Sequence, residues 1–234
     1  MPSVNQINAH RKIQDCAKAV LDQLPYLLTP EDNEQTIAVK AHRLLSQMGY
    51  PKTWYYDCPA LVLLGSRTCL SVSGRHYVAS EERLGLTNLV TVDLSPMEDG
   101  TWGDCARSII FEAGSVTAQP KTLEFRNGLR FQSQLQQHLL EFVTPATSYG
   151  DLFNWANVRI RESGFVNLDF RHNVGHGIAG SREDRQFIQA NNETLLSQTP
   201  FFSFEPFVRL KGGNWGFKHE DIFFFNEEMK LERL

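Results

Sequence analysis

Leu89-Val-Thr-Val-Asp93-Leu-Ser-Pro-Met-Glu-Asp-Gly-Thr-Trp-Gly-Asp104 reads as an apolar strand ending on an aspartate, a turn, and a second aspartate eleven positions on. The next run, Ala106-Arg-Ser-Ile-Ile-Phe111, again has strand character, so the two acids flank a turn between strands. Across such a hairpin both side chains can face one point. An aspartate closing an apolar strand is unusual, because an unpaired buried carboxylate is expensive and needs a cation or several donors. Taken alone, acids beside Gly and Pro are more ordinarily turn residues.

Working outward, the chain alternates helical and strand-like stretches. On the N-terminal side, Ile13, Cys16, Ala17, Val20, Leu21 and Leu24 recur at helical spacing from Asn5 to Leu24. A second helix is expected to start at Thr29-Pro30-Glu31-Asp32, with Thr as cap and Pro at the first position, and to end at Gly49 and Pro51. Strands are expected at Ala60–Leu64, Cys69–Val72 and Leu89–Leu94, then at 106–111. Beyond them the pattern restarts: helices at about Thr122–Phe142 and Tyr149–Ser163, then strands at Phe165–Phe170, Phe201–Leu210 and Phe217–Phe225. Helix, helix, strands, twice over, implies an α+β fold of two similar halves, about 1–115 and 116–234. With no low-complexity linker near residue 115, residues 1–234 are expected to form a single domain.

Bulk properties exclude several functions. A chain of 234 residues with 41% hydrophobic content can bury one substantial core. The 23 basic and 27 acidic residues are spread along it, without the Lys/Arg stripe that nucleic acid or an anionic membrane would require. No segment reaches eighteen uninterrupted apolar residues, and the start, Met-Pro-Ser-Val-Asn-Gln, lacks a signal-peptide pattern, so a cytoplasmic protein is expected. The cysteines Cys16, Cys58, Cys69 and Cys105 form no Cys-x-x-Cys pair and read as reduced, small apolar residues.

Three further features carry chemistry. In His172-Asn-Val-Gly-His176-Gly-Ile178, glycines on both sides of His176 permit close approach of another group. A lone histidine is more often structural, but histidine is also the commonest metal ligand. Phe201-Phe-Ser-Phe-Glu205-Pro206 and Phe217-Lys-His-Glu220-Asp-Ile-Phe-Phe-Phe225 each set a glutamate inside an aromatic, strand-like run, where either one alone could be a solvated edge residue. Together, four carboxylates and an imidazole make a ligand set for two divalent cations, which would neutralise the four negative charges. Without metal, a close carboxylate pair repels by about 4 kcal/mol at an effective dielectric of 20.

In order and context these five residues resemble the metallopeptidase family that includes methionine aminopeptidase, aminopeptidase P, prolidase and creatinase. The resemblance covers nearly the whole chain and implies a pita-bread fold, with two pseudo-symmetric halves around a curved central sheet. Carried over by position, Asp93 would chelate one metal, Asp104 and Glu220 would bridge the pair, and His176 and Glu205 would complete the other. The implied function is a dimetal-dependent hydrolase, an aminopeptidase or Xaa-Pro-type peptidase in which a bridging hydroxide attacks the amide and Glu205 shuttles the proton. His76 and His172 match family positions outside the metal ligands, where they would orient substrate or stabilise an oxyanion; structural roles are the alternative at both. Expected partners are a small peptide or amide substrate, neither nucleic acid nor a membrane, with a homodimer left open. Four oxygen donors against one nitrogen favour Mn²⁺, Fe²⁺ or Co²⁺ over structural zinc, leaving the identity among Mn, Co, Fe and Zn open.

One departure matters. Family peptidases commonly carry a histidine seven residues beyond the ligand histidine, and here that place is Glu183, in Ser181-Arg-Glu-Asp-Arg185. No histidine lies between His176 and His219. The departure touches substrate handling more than metal binding. Two alternatives therefore stand beside peptide cleavage: hydrolysis of a non-peptide C–N bond, as in creatinase, with Arg182, Glu183 or Arg185 reading a polar group, and a non-catalytic binding homologue.

Overall fold

The structure is a computed structural model and describes residues 1–234. The first half runs α1 (Val4–Gln23), α2 (Glu34–Gln47), β1 (Lys52–Thr53), β2 (Ala60–Leu64), β3 (Asn88–Leu94), β4 (Pro96–Glu98), β5 (Thr101–Trp102), β6 (Cys105–Glu112) and β7 (Ser115–Val116). The second runs α3 (Leu123–Phe142), α4 (Tyr149–Glu162), β8 (Phe165–Asn167), β9 (Gly177–Ile178), β10 (Phe201–Phe204), β11 (Phe207–Leu210), β12 (Gly216–Phe225) and β13 (Leu231–Arg233).

Helix α1 is closed at its N-terminus by a reciprocal Ser3–Gln6 capping box, and its apolar stripe, Ile13 to Leu21, is buried. The start of α2 differs from expectation. Asp32 accepts the Thr29 backbone N–H at 2.7 Å and is ion-paired to Lys40, which makes 29–32 a turn. Asn33 is the cap instead, accepting the Thr36 N–H at 2.9 Å while Thr36 accepts the Asn33 N–H. The strand expected at Cys69–Val72 is also absent. Gly65–Cys69 is a 3-10 turn closed by the Thr68 hydroxyl on the Gly65 carbonyl at 2.6 Å, and the chain then runs irregularly along the cavity described below.

Ten strands form one curled sheet with the order β2-β3-β6-β12-β10-β9 and side pairings of β7, β8, β11 and β13; β1, β4 and β5 make a separate ribbon. That ribbon fills most of the interval between Asp93 and Asp104, so the turn expected there is itself a small hairpin. Each half has its own core: Val20, Ile37, Val62, Val92 and Phe111 with α1 and α2, and Phe125, Leu135, Leu152, Phe204 and Phe223 with α3 and α4. The sheet crosses between halves at β6–β12, where Ala106 pairs with Glu220.

The period-two alternation of a strand now positions the site. Val90, Val92 and Leu94 of β3, Cys105 and Ile109 of β6, Phe202 and Phe204 of β10, and Phe217 and Phe223 of β12 all pack on the helix side. Asp93, Asp104, Ala106, Lys218 and Glu220 are out of phase with these and share the opposite face. The alternation of β12 thus brings Lys218 and Glu220 to the face that also carries Asp93 and Asp104.

Candidate metal centre

The pairing register explains how distant residues meet. Asp93 pairs with Ala106, and Ala106 with Glu220, so β3, β6 and β12 place two carboxylates in one row with only a methyl group between them. On the other side of β12, Phe204 pairs with Asp221 and Phe207 with Lys218. That register sets Glu205 across from Glu220. The expected strand 201–210 is interrupted here, at Glu205-Pro206, because Pro206 has no N–H to give the ladder. Like charges directly opposite in a sheet destabilise it unless something positive sits between them.

Asp104 immediately precedes β6 and is 4% exposed. The Gln14 side chain of α1 fixes its backbone from both sides, with Nε2 donating to the Asp104 carbonyl at 2.8 Å and Oε1 accepting the Asp104 N–H at 3.0 Å. His176 lies on the far side of β10, whose Ser203 N–H donates to the His176 carbonyl at 2.7 Å. Close approach there requires Gly175: φ is +149°, and a Cβ would stand 2.1 Å from the Ser203 carbonyl oxygen. His176 Nδ1 lies 3.1 Å from the Gly177 carbonyl, an arrangement that makes Nδ1 the donor and leaves the Nε2 lone pair free. Nε2 faces Asp104 Oδ2 at 3.3 Å and Glu205 Oε1 at 3.7 Å.

All five residues singled out from the sequence, Asp93, Asp104, His176, Glu205 and Glu220, thus converge on one surface. Asp104, His176 and Glu220 are buried and offer ligand atoms within 4.8 Å of one another. Asp104 Oδ2 and both Glu220 oxygens have no hydrogen-bond partner. Orphaned buried carboxylate oxygens around an imidazole lone pair are what a divalent cation satisfies and what protein donors here do not. The electrostatics agree. Burial, reinforced by Asp104 and Glu205, pushes the Glu220 carboxyl well above its ordinary value, and burial pushes that of Asp93 up to about 6 even against Lys218. Burial would raise Glu205 as well, but Lys218 and His176 outweigh it and hold its carboxyl below the usual value.

One residue at the site, Lys218, escaped sequence reasoning. Lys218 Nζ lies 2.6 Å from Asp93 Oδ2, 2.8 Å from Glu205 Oε2 and 3.5 Å from Glu220 Oε2. Burial would lower this ammonium's pKa, yet the three carboxylates hold it well above the ordinary lysine value. Arg185, named from sequence only as one of three residues that could read a polar group, lies over Trp54 at 5.0 Å and Phe187 at 5.5 Å, and its Nε donates to the Arg182 carbonyl at 2.9 Å. Both line a cavity of about 360 Å³ together with Asp93, Asp104, His176 and Glu205.

Other expected residues are elsewhere. His76 is exposed in a turn closed by its own N–H on the Ser73 carbonyl, and His172 is exposed at φ +58°. Neither lines the cavity. Glu183, at the place of the missing histidine, is exposed and ion-paired to Arg182 at 2.8 Å.

The sequence matches the profile of metallopeptidase family M24 over residues 8–227. The chain belongs to this family. Among curated relatives, a probable dipeptidase PepE of Mycobacterium bovis is 24% identical over 95% of this chain and 55% of its own length. The chain spans about half the length of the curated relatives it matches. Among solved structures, an X-Pro aminopeptidase from Thermotoga maritima superposes with a TM-score of 0.81 at 18% identity, covering 99% of this chain and 61% of that one. A methionine aminopeptidase from Rickettsia prowazekii superposes with a TM-score of 0.74 at 14% identity, covering 100% and 98%. The curled sheet with paired helices is thus the pita-bread fold of the M24 family, and the buried donor set fits the divalent ions that a metallopeptidase family implies. No helix is long and apolar enough to cross a membrane.

Proposed function

We propose that this chain is a metal-dependent hydrolase that cleaves an amide bond in a small peptide, as an aminopeptidase or Xaa-Pro-type dipeptidase, with both halves acting as one catalytic unit. What carries the proposal is the row Asp93–Glu220–Glu205 with Asp104 and His176 beside it, four carboxylates and one imidazole lone pair on a single concave face. Asp104, Glu205, Glu220 and His176 would hold one divalent ion, and Asp93, Asp104 and Glu220 a second. When bound, such ions polarise a carbonyl and acidify water. The oxygen-rich set favours Mn²⁺, Fe²⁺ or Co²⁺, and the free thiols suit a reducing, cytoplasmic setting.

The protein's own groups supply the rest. Glu205 is kept ionised by Lys218, 2.8 Å from its Oε2, so it can accept a proton from the attacking water and return it to the leaving amine. Trp54, Tyr55 and Phe187 wall the cavity with aromatic surface. Arg185, stacked on two of those rings, presents a fixed cation to a substrate carbonyl or terminal carboxylate. A cavity of about 360 Å³ suits a dipeptide-sized ligand.

A second reading, hydrolysis of a non-peptide C–N bond, draws on the exposed Glu183 standing where family peptidases carry a histidine toward the substrate. The test is a dipeptide library, including Xaa-Pro sequences, incubated with Mn²⁺-loaded or Co²⁺-loaded protein and read by mass spectrometry. Cleavage that disappears in Asp104→Ala supports the peptidase. Stoichiometric metal binding without cleavage of any peptide removes it.

A further inference from the structure

Gln132 and Gln136 of α3 are about one helical turn apart, so they share a face, and both are buried against the sheet behind the carboxylate cluster. Each gives both hydrogens of its amide to backbone carbonyls of two different strands. Gln136 Nε2 donates to the Phe204 carbonyl at 3.3 Å and to the His219 carbonyl at 2.9 Å. Gln132 Nε2 donates to the Pro206 and Phe217 carbonyls, each at 2.7 Å. Phe204 and His219 are the residues immediately before Glu205 and Glu220. A single amide therefore holds the peptide units that lead into two facing carboxylates, and the other holds the unit after Glu205 and the one before Lys218.

The sheet needs a brace at this place. The Lys218 and Glu220 carbonyls face β6, where Ser108 Oγ donates to the first at 3.3 Å and Arg107 Nη1 to the second at 2.6 Å. Alternation along the strand turns the Phe217 and His219 carbonyls the other way, toward β10 and β11. Opposite His219 in that register stands Pro206, which has no N–H to give, and the Glu205 N–H points away to the Val174 carbonyl at 2.8 Å. The ladder is open beside the two glutamates, and the amide hydrogens close it. Packing alone does not account for glutamine at these positions. Oε1 of each has no partner, and a buried orphaned acceptor is a cost that Leu or Met of similar size would not carry. The first half uses the same device: Gln14 of α1, the opening helix of its half as α3 is of the second, clamps the N–H and carbonyl of Asp104.

We propose that Gln136, assisted by Gln132, is a positioning residue: its amide sets the spacing of Glu205 and Glu220 by fixing the carbonyl ahead of each. Neither amide reaches an ion or a substrate; both act through the backbone of β10, β11 and β12. With Gln14 holding Asp104, three of the four carboxylates are placed by buried glutamines on the opening helix of one half or the other. This rests on the cluster being a divalent-cation site; it is independent of which bond, if any, the protein cleaves.

The test is Mn²⁺ titration of the full, chelator-stripped chain by isothermal calorimetry, with the melting temperature of each variant read by circular dichroism. Gln136→Met keeps the volume and removes both donors, and should weaken Mn²⁺ binding by about 10–100-fold, the scale for a group that orients a metal ligand without touching the metal. Gln132→Met, whose carbonyls include neither of those two, should weaken it in the same direction and by less. Leu139→Ala, buried on the same helix, is the control: it should lower the melting temperature at least as far as Gln136→Met and leave the Mn²⁺ dissociation constant unchanged. A folded Gln136→Met that binds Mn²⁺ as tightly as the wild type would overturn the proposal. So would a Leu139→Ala that loses as much affinity, because the effect would then be a general loosening of α3. If Gln136→Met does not fold, Gln132→Met is read against Leu139→Ala by the same two criteria. Absence of Mn²⁺ binding in the wild type, matched by Asp104→Asn, overturns the cation site itself and this proposal with it, whereas tight wild-type binding with an unaffected Gln136→Met overturns this proposal alone.

Discussion

Chelation should destabilise this protein in a pH-dependent way whose size follows from the buried acids. In the metal-free chain the Asp93 carboxyl titrates at about 6, against about 3.9 in an unfolded chain. A folded-state pKa raised in this way means that the native state holds the proton longer than the unfolded state. Its contribution to stability therefore falls as pH rises through the window from about 4 to 6. Two pKa units correspond to roughly 3 kcal/mol lost by pH 7.5. Glu220, pushed further in the same direction by burial and by Asp104 and Glu205, adds to that loss. Bound cations relieve it, and ligand linkage alone supplies about 2.7 kcal/mol at one hundred times the dissociation constant. For a chain of this size each kcal/mol moves the melting temperature by about 2–4 °C, so Mn²⁺ should raise it by roughly 5–11 °C at pH 7.5. At pH 5, below the Asp93 value of about 6, that carboxyl is mostly protonated, and the rise should shrink to a few degrees. His10 and His219, both lowered mainly by burial, add stability as pH rises and would mask the trend in either series alone. The quantity to read is therefore the difference between Mn²⁺ and chelator melts at each pH, by circular dichroism. A difference that is absent, or larger at pH 5 than at pH 7.5, refutes the reasoning.

Three other outcomes are expected. Asp221 is fully buried beneath Arg107 at 2.8 Å and His219 at 3.1 Å, so Asp221→Asn should cost about 3–5 kcal/mol in denaturant unfolding by leaving the Arg107 charge uncompensated. Its carboxyl is held below the ordinary value: burial opposes this, but His219 and Arg107 prevail, so the stability it gives is complete above about pH 4 and fades on acidification, which an acid titration would follow. Gly175→Ala pushes a methyl group to 2.1 Å from the Ser203 carbonyl oxygen, and should cost at least 1–3 kcal/mol and weaken Mn²⁺ binding by moving His176, read by melting and calorimetry together. Arg185→Ala should leave Mn²⁺ affinity unchanged and lower kcat/KM on any cleaved substrate by about 10–100-fold, the worth of one charge-assisted contact; an unchanged kcat/KM removes Arg185 from substrate binding.

Much of the molecule was legible in the sequence because its strongest signals are local. Strand β12 is ten residues long and is rich in Phe, a residue favoured in strands, and α1, α3 and α4 have apolar stripes that matched to within a residue or two. The four acids and the histidine were found because glycine, proline or apolar neighbours mark each of them as out of place. What stayed hidden depended on tertiary partners. Lys218 in an aromatic strand reads as an ordinary solvent-facing residue, and only the register that brings Asp93 and Glu205 around it shows otherwise. The start of α2 was misplaced because Thr29 and Asn33 are both good caps, and the choice is made by Lys40 holding Asp32 in the preceding turn. At Cys69–Val72 an apolar run looked like a strand, but no strand lies beside it to complete a ladder.

The most direct measurement is a crystal structure of the chain grown with Mn²⁺, with anomalous scattering recorded at the manganese edge. The expected result is a peak within about 2–2.3 Å of Asp104 Oδ2, Glu220 and His176 Nε2. Manganese bound only elsewhere, with those oxygens still lacking a partner, would contradict the central claim.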